Sequence, residues 1–349
     1  MPQNLSKYVL KYALLLVIAL FFFGGNAFTA DKTLVAENTK LDKAVEEKKE
    51  QLVWDAGSVQ LEMEKLANGV YAYYPTDAKE KNTKGYPVAT SGGFVVGDNG
   101  VLVVESMVNK RLADQVIAFV KEVTDKPILY VVNTSYHGDH AYGNYVFPKS
   151  AKIIQHSKTK AFMDNKESFE ADKKFMAKYF GANRGIEDVV ARTADIIVDG
   201  RKIIDLGNRN VEIMHLGFAQ TEGDLFVWVP TDKVFWIGNP VVAMPPGLPW
   251  LLDGKHEEVL TTMKKVRKFL PNDAIVVPGH GVPIKPKDID FTIKYIETLH
   301  KEVKNALNSG ASLEQAQKEI TMKDFQGYAL WGWVHTQVNV PATYKDLLK

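Results

Sequence analysis

Four apolar runs, far apart in the chain, each stop on residues of the kind that hold a metal or a polar ligand. ILYVVNTS (128–135) leads into His137, Asp139 and His140. VEIMHLG (211–217) is followed by Gln220, KVFWIGN (233–239) ends on Asn239, and AIVVPGHG (274–281) carries His280. Short apolar runs bounded by turn residues are the pattern of buried strands. Sheets in α/β proteins gather ligands in a crevice at their strand ends. A chain with four such ends is therefore constrained to a fold that brings them together, a much tighter condition than one His-x-Asp-His string imposes.

The rest of the chain is consistent with that condition. GVYAYYP (69–75), GGFVVG (92–97), VLVVES (101–106), AKIIQHS (151–157) and DLFVWVP (224–230) also read as strands. Helical stripes occur at Leu112, Val116, Ile117 and Val120, near 256–270, and at Ile289, Ile293, Ile296, Val303 and Leu307. Strands with interspersed helices in both halves predict sheets covered by helices on their outer faces. The length of 349 residues, with 46% apolar and 24% charged residues, suffices for a well-buried core. A net charge of +1 gives no electrostatic reason to expect a nucleic-acid partner. The lack of cysteine excludes disulfides, thiolate ligands and a cysteine nucleophile.

Residues 1–27 have the layout of a secretory signal peptide: Lys7 and Lys11, an apolar run from Ala13 to Phe23, then Gly25-Asn26-Ala27. Cleavage is expected after Ala27, which would leave no membrane attachment and would place the protein in the periplasm of a diderm bacterium. The alternative is an uncleaved membrane anchor, although the apolar core is shorter than the roughly 20 residues of a spanning helix. Residues 28–58, rich in Lys and Glu, read as a charged leader, and 59–308 as the folded domain.

SYHGDH, GFAQTEGDLFVW, VFWIGN and VVPGHG, in that order and each after its strand, resemble the metallo-β-lactamase superfamily. The resemblance spans roughly residues 59 to 308, and the tail, 309–349, is similar to the C-terminal extension of some members, expected to pack on the domain. It implies an αββα sandwich and a metal-dependent hydrolase, exported and acting on a small-molecule ester, lactam, thioester or related substrate. In a typical member two metals share the crevice. The first would take ligands at Ser135, His137 and Gln220, and the second at Asp139, His140 and His280, with the position of Asn239 between them. Two histidines of the first set are replaced here by Ser135 and Gln220, and the bridging acid by Asn239.

A hydroxyl and a neutral amide are poor zinc ligands, whereas two imidazoles and a carboxylate make an open catalytic set. The resemblance therefore implies one zinc per chain at Asp139, His140 and His280, and the same set also suits Fe(II). Asp139 would orient the attacking water, and His137, freed from a metal, would act as a hydrogen-bond donor or proton shuttle. The competing reading is a catalytically silent or ligand-binding relative, with a structural metal or none. His156, His215, His256, His300 and His335 read singly as surface or core residues. His215 is the nearest to an exception because it lies close to Gln220. Asp224 is expected to fix a loop. The Pro-rich stretch 243–254 reads either as a substrate lip, with Met244, Leu248 and Trp250, or as a packed connector. Tyr328, Trp331 and Trp333 pose the same choice between pocket and subunit contact. The sequence leaves the oligomeric state open.

Overall fold

The structure, a computed structural model, describes residues 52–349. The expected signal peptide and most of the expected leader lie outside the described residues. Twelve strands are described, in two sheets. The first holds β1 (Leu61–Ala67), β2 (Val70–Pro75), β3 (Gly92–Val96), β4 (Val101–Val104), β5 (Ile128–Val132), β6 (Lys152–Gln155) and β7 (Ile196–Ile197), in sequential order. The second runs β12-β11-β10-β9-β8, with β8 at Arg201–Asp205, β9 at Asn210–Met214, β10 at Phe226–Val229, β11 at Val234–Gly238 and β12 at Ile275–Pro278. Neighbours pair antiparallel except β4-β5-β6-β7 and β11-β12, which are parallel.

The strands read as continuous apolar runs because both of their faces are covered. Side chains alternate across a strand, so Leu102 and Val104 point between the sheets with Val132, Val227, Val229 and Trp236. Val101 and Val103 point outward to α2 (Lys110–Val123), which follows the short α1 (Ala78–Thr83). Phe226 and Phe235 point outward on the other side, toward the later helices. Three apolar layers thus separate helix, sheet, sheet and helix, the αββα sandwich expected.

Further along the chain, α3 (Gly138–Ala141), α4 (Ser157–Asp164) and α5 (Lys166–Phe180) belong to the first half. The second half has α6 (His256–Phe269), α7 (Ile289–Asn308), α8 (Leu313–Glu319), a π-helical segment (Gly332–Asn339) and α9 (Val340–Leu347). The amphipathic α5 and the edge strands β1 and β8 had no clear counterpart in the sequence pattern. Packing also begins earlier than the expected Val59: Trp54 stacks on Phe180 at 4.2 Å, and the amide of Ala56 donates to the Phe180 carbonyl at 2.8 Å. The tail packs on α7 and its neighbours, with Val334 and Val340 fully buried.

Candidate metal centre

The parallel pairs β4-β5 and β11-β12 send their C-terminal ends to one edge of the sandwich. Glu105 follows β4, Ser135 to His140 follow β5, Asn239 follows β11 and His280 follows β12. Close backbone approach is needed there. Gly238 has φ +65, and a Cβ on it would meet Thr134 Oγ1 at 2.6 Å; a Cβ on Gly279 would meet Asn239 Oδ1 at 2.5 Å.

Three ligand atoms converge in this crevice. Asp139 Oδ2 lies 3.5 Å from His140 Nε2 and 3.4 Å from His280 Nε2. A tetrahedral zinc with bonds of about 2.0–2.2 Å separates its donors by roughly 3.4 Å. Both rings are held with Nε2 toward the aspartate. His280 Nδ1 lies 3.1 Å from the Val88 carbonyl, to which it can donate. His140 Nδ1 lies 2.9 Å from Glu105 Oε1, an ion-pair contact to one side of the ring N–H direction. Thr90 donates to Asp139 Oδ2 at 2.6 Å. Imidazole ligands oriented by a carboxylate or carbonyl on the far nitrogen are the usual support of a metal site.

Glu105 and Thr90 were not anticipated from the sequence. Glu105 takes a left-handed backbone, φ +73, uncommon for a non-glycine residue. Its carboxylate also accepts from the Thr134 hydroxyl at 2.5 Å and the Thr134 amide at 3.2 Å, tying β4 to β5. Asn133 secures the same loop from below: its amide donates to the His140 carbonyl at 3.0 Å, and its oxygen accepts from Asn144 and Gln155.

The electrostatics suit a cation. Glu105 and Asp139 are 2% and 3% exposed. Buried carboxylates at this depth demand compensation. Burial opposes protonation of His140, but Asp139 and Glu105 outweigh it and hold its pKa up at about 9. Burial pushes His280 and His137 down to about 4, leaving them neutral at pH 7, the form that ligates metal. Burial would raise the pKa of Asp139, yet the facing histidines and Thr90 hold it below the usual carboxylate value. His140 Nε2 and Asn239 Oδ1 are buried without hydrogen-bond partners. The residues therefore fit a divalent metal at Asp139, His140 and His280, which on binding would displace the proton that His140 holds at pH 7.

The first set is arranged for hydrogen bonding. Ser135 is fully buried and its hydroxyl accepts from the His137 amide at 3.3 Å. Asn239 Nδ2 lies 3.0 Å from His137 Nδ1. Gln220 donates to the Trp250 carbonyl at 3.3 Å, while its oxygen has no partner. Asp224 fixes the loop: it accepts from the amides of Gln220 and Thr221 and from the Thr221 hydroxyl. His215 Nδ1 lies at the Asp224 carbonyl, 2.9 Å away, and its ring rests against His156.

Stretch 243–254 packs against the outer apolar core. Leu248 is fully buried in the outer apolar core, which corrects its reading as a lip residue. Met244 and Trp250 are half-buried, and Trp250 meets Trp333 edge-on at 5.0 Å. Asn339 of the tail accepts from the Leu251 amide at 2.9 Å and donates to the Pro249 carbonyl at 2.8 Å. The tail thus holds the loop whose Trp250 carbonyl receives Gln220.

A sequence profile described as the Metallo-beta-lactamase superfamily matches residues 85–280, more than half the chain. The chain belongs to the metallo-β-lactamase superfamily. The type 2 metallo-beta-lactamase of Bacillus cereus is 26% identical over 198 residues, covering 56% of this chain and 69% of that protein. Among solved structures, a metallo-beta-lactamase from Pontibacter korlensis superposes with a TM-score of 0.52 at 16% identity, over 68% of this chain and 99% of its own. The stereoselective inverting sec-alkylsulfatase Pisa1 from Pseudomonas sp. superposes with a TM-score of 0.63 at 14% identity, over 93% of this chain and 63% of its own. These structures share the fold of this superfamily member. Among the described residues no helix is long and apolar enough to cross a membrane.

Proposed function

We propose that this superfamily member is an exported hydrolase using a single crevice metal, zinc in preference to Fe(II), held by Asp139, His140 and His280. The approach of His140 Nε2 and His280 Nε2 to Asp139 Oδ2, at 3.5 and 3.4 Å, carries the reading. Such a metal acts as a Lewis acid and lowers the pKa of water toward neutrality, so that a nucleophile is available at pH 7.

The chain's own groups have separable tasks. Glu105 and the Val88 carbonyl fix the rings of His140 and His280, and Thr90 fixes the Asp139 carboxylate. With the Asn239 amide donating to His137 Nδ1, the His137 proton resides on Nε2, where it can be given to a polar substrate atom as a hydrogen bond. Trp250, whose carbonyl receives Gln220, and Met244 in the same loop offer apolar surface, which suits a small, partly apolar ester, lactam, thioester or related substrate.

The second reading, a ligand-binding relative without turnover, is favoured by one observation: Ser135, His137, Asp139, His140, Gln220 and Asn239 are all buried. One experiment separates the two. The purified mature chain is assayed for metal content and against a chromogenic β-lactam, an aryl ester, a thioester and a secondary alkyl sulfate, before and after chelation. Turnover lost on chelation and restored by zinc supports the hydrolase. Stoichiometric metal with no turnover on any of these substrates supports the binding protein.

A further inference from the structure

A second cluster of metal-ligating side chains lies outside the crevice, where α6, α7 and α9 meet. His256 opens α6, Glu257 follows it, and His300 comes from α7. His256 Nε2 and His300 Nδ1 face each other at 2.8 Å, and Glu257 Oε1 is 3.5 Å from the same His300 nitrogen. The far nitrogen of His256 lies 3.3 Å from Asp346 on α9, and that carboxylate also accepts the His256 backbone amide at 3.1 Å.

This arrangement fixes the chemistry of His256. With its Nδ1 proton directed at Asp346, its Nε2 presents a lone pair to His300. Two imidazole nitrogens at 2.8 Å cannot both present lone pairs, so either the proton of a neutral His300 Nδ1–H or a metal ion must lie between them. One His300 proton satisfies the pair. It leaves Glu257, 68% exposed by its side chain, pointing an anionic oxygen at a nitrogen already engaged. A cation can take all three donors once the two imidazoles part from 2.8 Å to the roughly 3.3 Å that separates donors in a tetrahedral shell with bonds of about 2.0–2.1 Å. A carboxylate behind one ligating imidazole is the support such a shell uses.

We propose that His256, His300 and Glu257 form a second divalent transition-metal site, oriented by Asp346, that joins α6 to α7 and braces the C-terminal helix. Zinc is the best match to two imidazoles and one carboxylate, with the open position facing solvent beside the half-buried His300. The site is independent of the proposed hydrolytic function and survives its failure.

The test is zinc titration of the full mature chain after chelation, read as bound equivalents together with the thermal midpoint. Asp139→Ala, which disables the crevice, is expected to bind one equivalent and to gain thermal stability from it. Adding His300→Ala should weaken that binding by about 10- to 100-fold and remove the thermal gain. If Asp139→Ala does not fold, His300→Ala and Glu257→Gln in the otherwise unchanged chain serve instead, each expected to weaken one binding event and leave the crevice metal in place. The proposal is overturned if Asp139→Ala takes up no zinc, or if stoichiometry and affinity are unchanged by both His300→Ala and Glu257→Gln.

Discussion

Replacing Glu105 by glutamine tests the crevice at the residue that touches no substrate and no metal. The carboxylate contacts Thr134 through its hydroxyl and amide, and His140 Nδ1 at 2.9 Å. Oε1 serves both the Thr134 hydroxyl and His140 Nδ1, and Oε2 serves the Thr134 amide. That amide can only donate, so the one oxygen of glutamine stays with it and the NH₂ takes the place of Oε1, where the Thr134 hydroxyl can turn to accept but His140 Nδ1 must accept as well and the ring proton moves to Nε2. That is the atom facing Asp139, and once protonated it cannot ligate. Removing such an orienting partner typically costs about 10- to 100-fold in metal affinity, and the inverted tautomer places Glu105→Gln at the upper end, about 2.7 kcal/mol. Glu105→Ala, which imposes no tautomer, should lie nearer tenfold. Competition of the folded variants against a chromophoric chelator measures both. A Glu105→Gln affinity within twofold of the unchanged chain, or an alanine variant weaker than the glutamine one, would refute the assigned orientation of His140.

Three further outcomes are expected. In a His300→Ala background, Ser135→His with Gln220→His should place two imidazoles beside His137 and raise crevice occupancy above one metal, read by metal analysis of chain purified without chelator, whereas Asp139→Ala should empty the crevice. Burial raises the Asp224 pKa from 3.8 to about 6 against the pull of its hydrogen bonds, so the folded state favours the protonated form. Its contribution is complete below about pH 4 and lost as pH rises through about 6, up to about 3 kcal/mol over two units; Asp224→Asn should flatten denaturant-unfolding stability across that window, and an unchanged slope counts against it. Intact-mass measurement of exported material should find a chain beginning near Phe28, and a mass that retains residues 1–27 would reject the cleaved signal.

How much of this was legible in the sequence depended on distance along the chain. His137, Asp139 and His140 are adjacent, and Gln220, Asn239 and His280 each follow an apolar strand, so one local rule finds them all. Glu105 obeys the same rule, closing the run VLVVES, but nothing in the string shows that its carboxylate turns back toward β5; that follows from a left-handed backbone and the parallel pairing of β4 with β5. Thr90 lies in irregular chain with no periodic signal. Trp54 was read with a charged leader because a single large aromatic makes no stripe; its partner Phe180 is far away on α5. Leu248 sits among prolines that suggest a surface loop, yet the tail pins that loop through Asn339 and turns the leucine inward.

His256 and His300 show the limit most clearly. Each is unremarkable in its own helix, and only the packing of α6 on α7 sets their nitrogens 2.8 Å apart, with Asp346 behind them. The same physics separates the two halves of the crevice. Oriented imidazoles and a buried carboxylate remain where Glu105, Thr90 and the Val88 carbonyl support them. Ser135 and Gln220, by contrast, bond to the chain itself, to the His137 amide and the Trp250 carbonyl. Histidines placed at these two positions would each remove one of those ties. The restored first set should then bind metal more weakly than Asp139, His140 and His280 do.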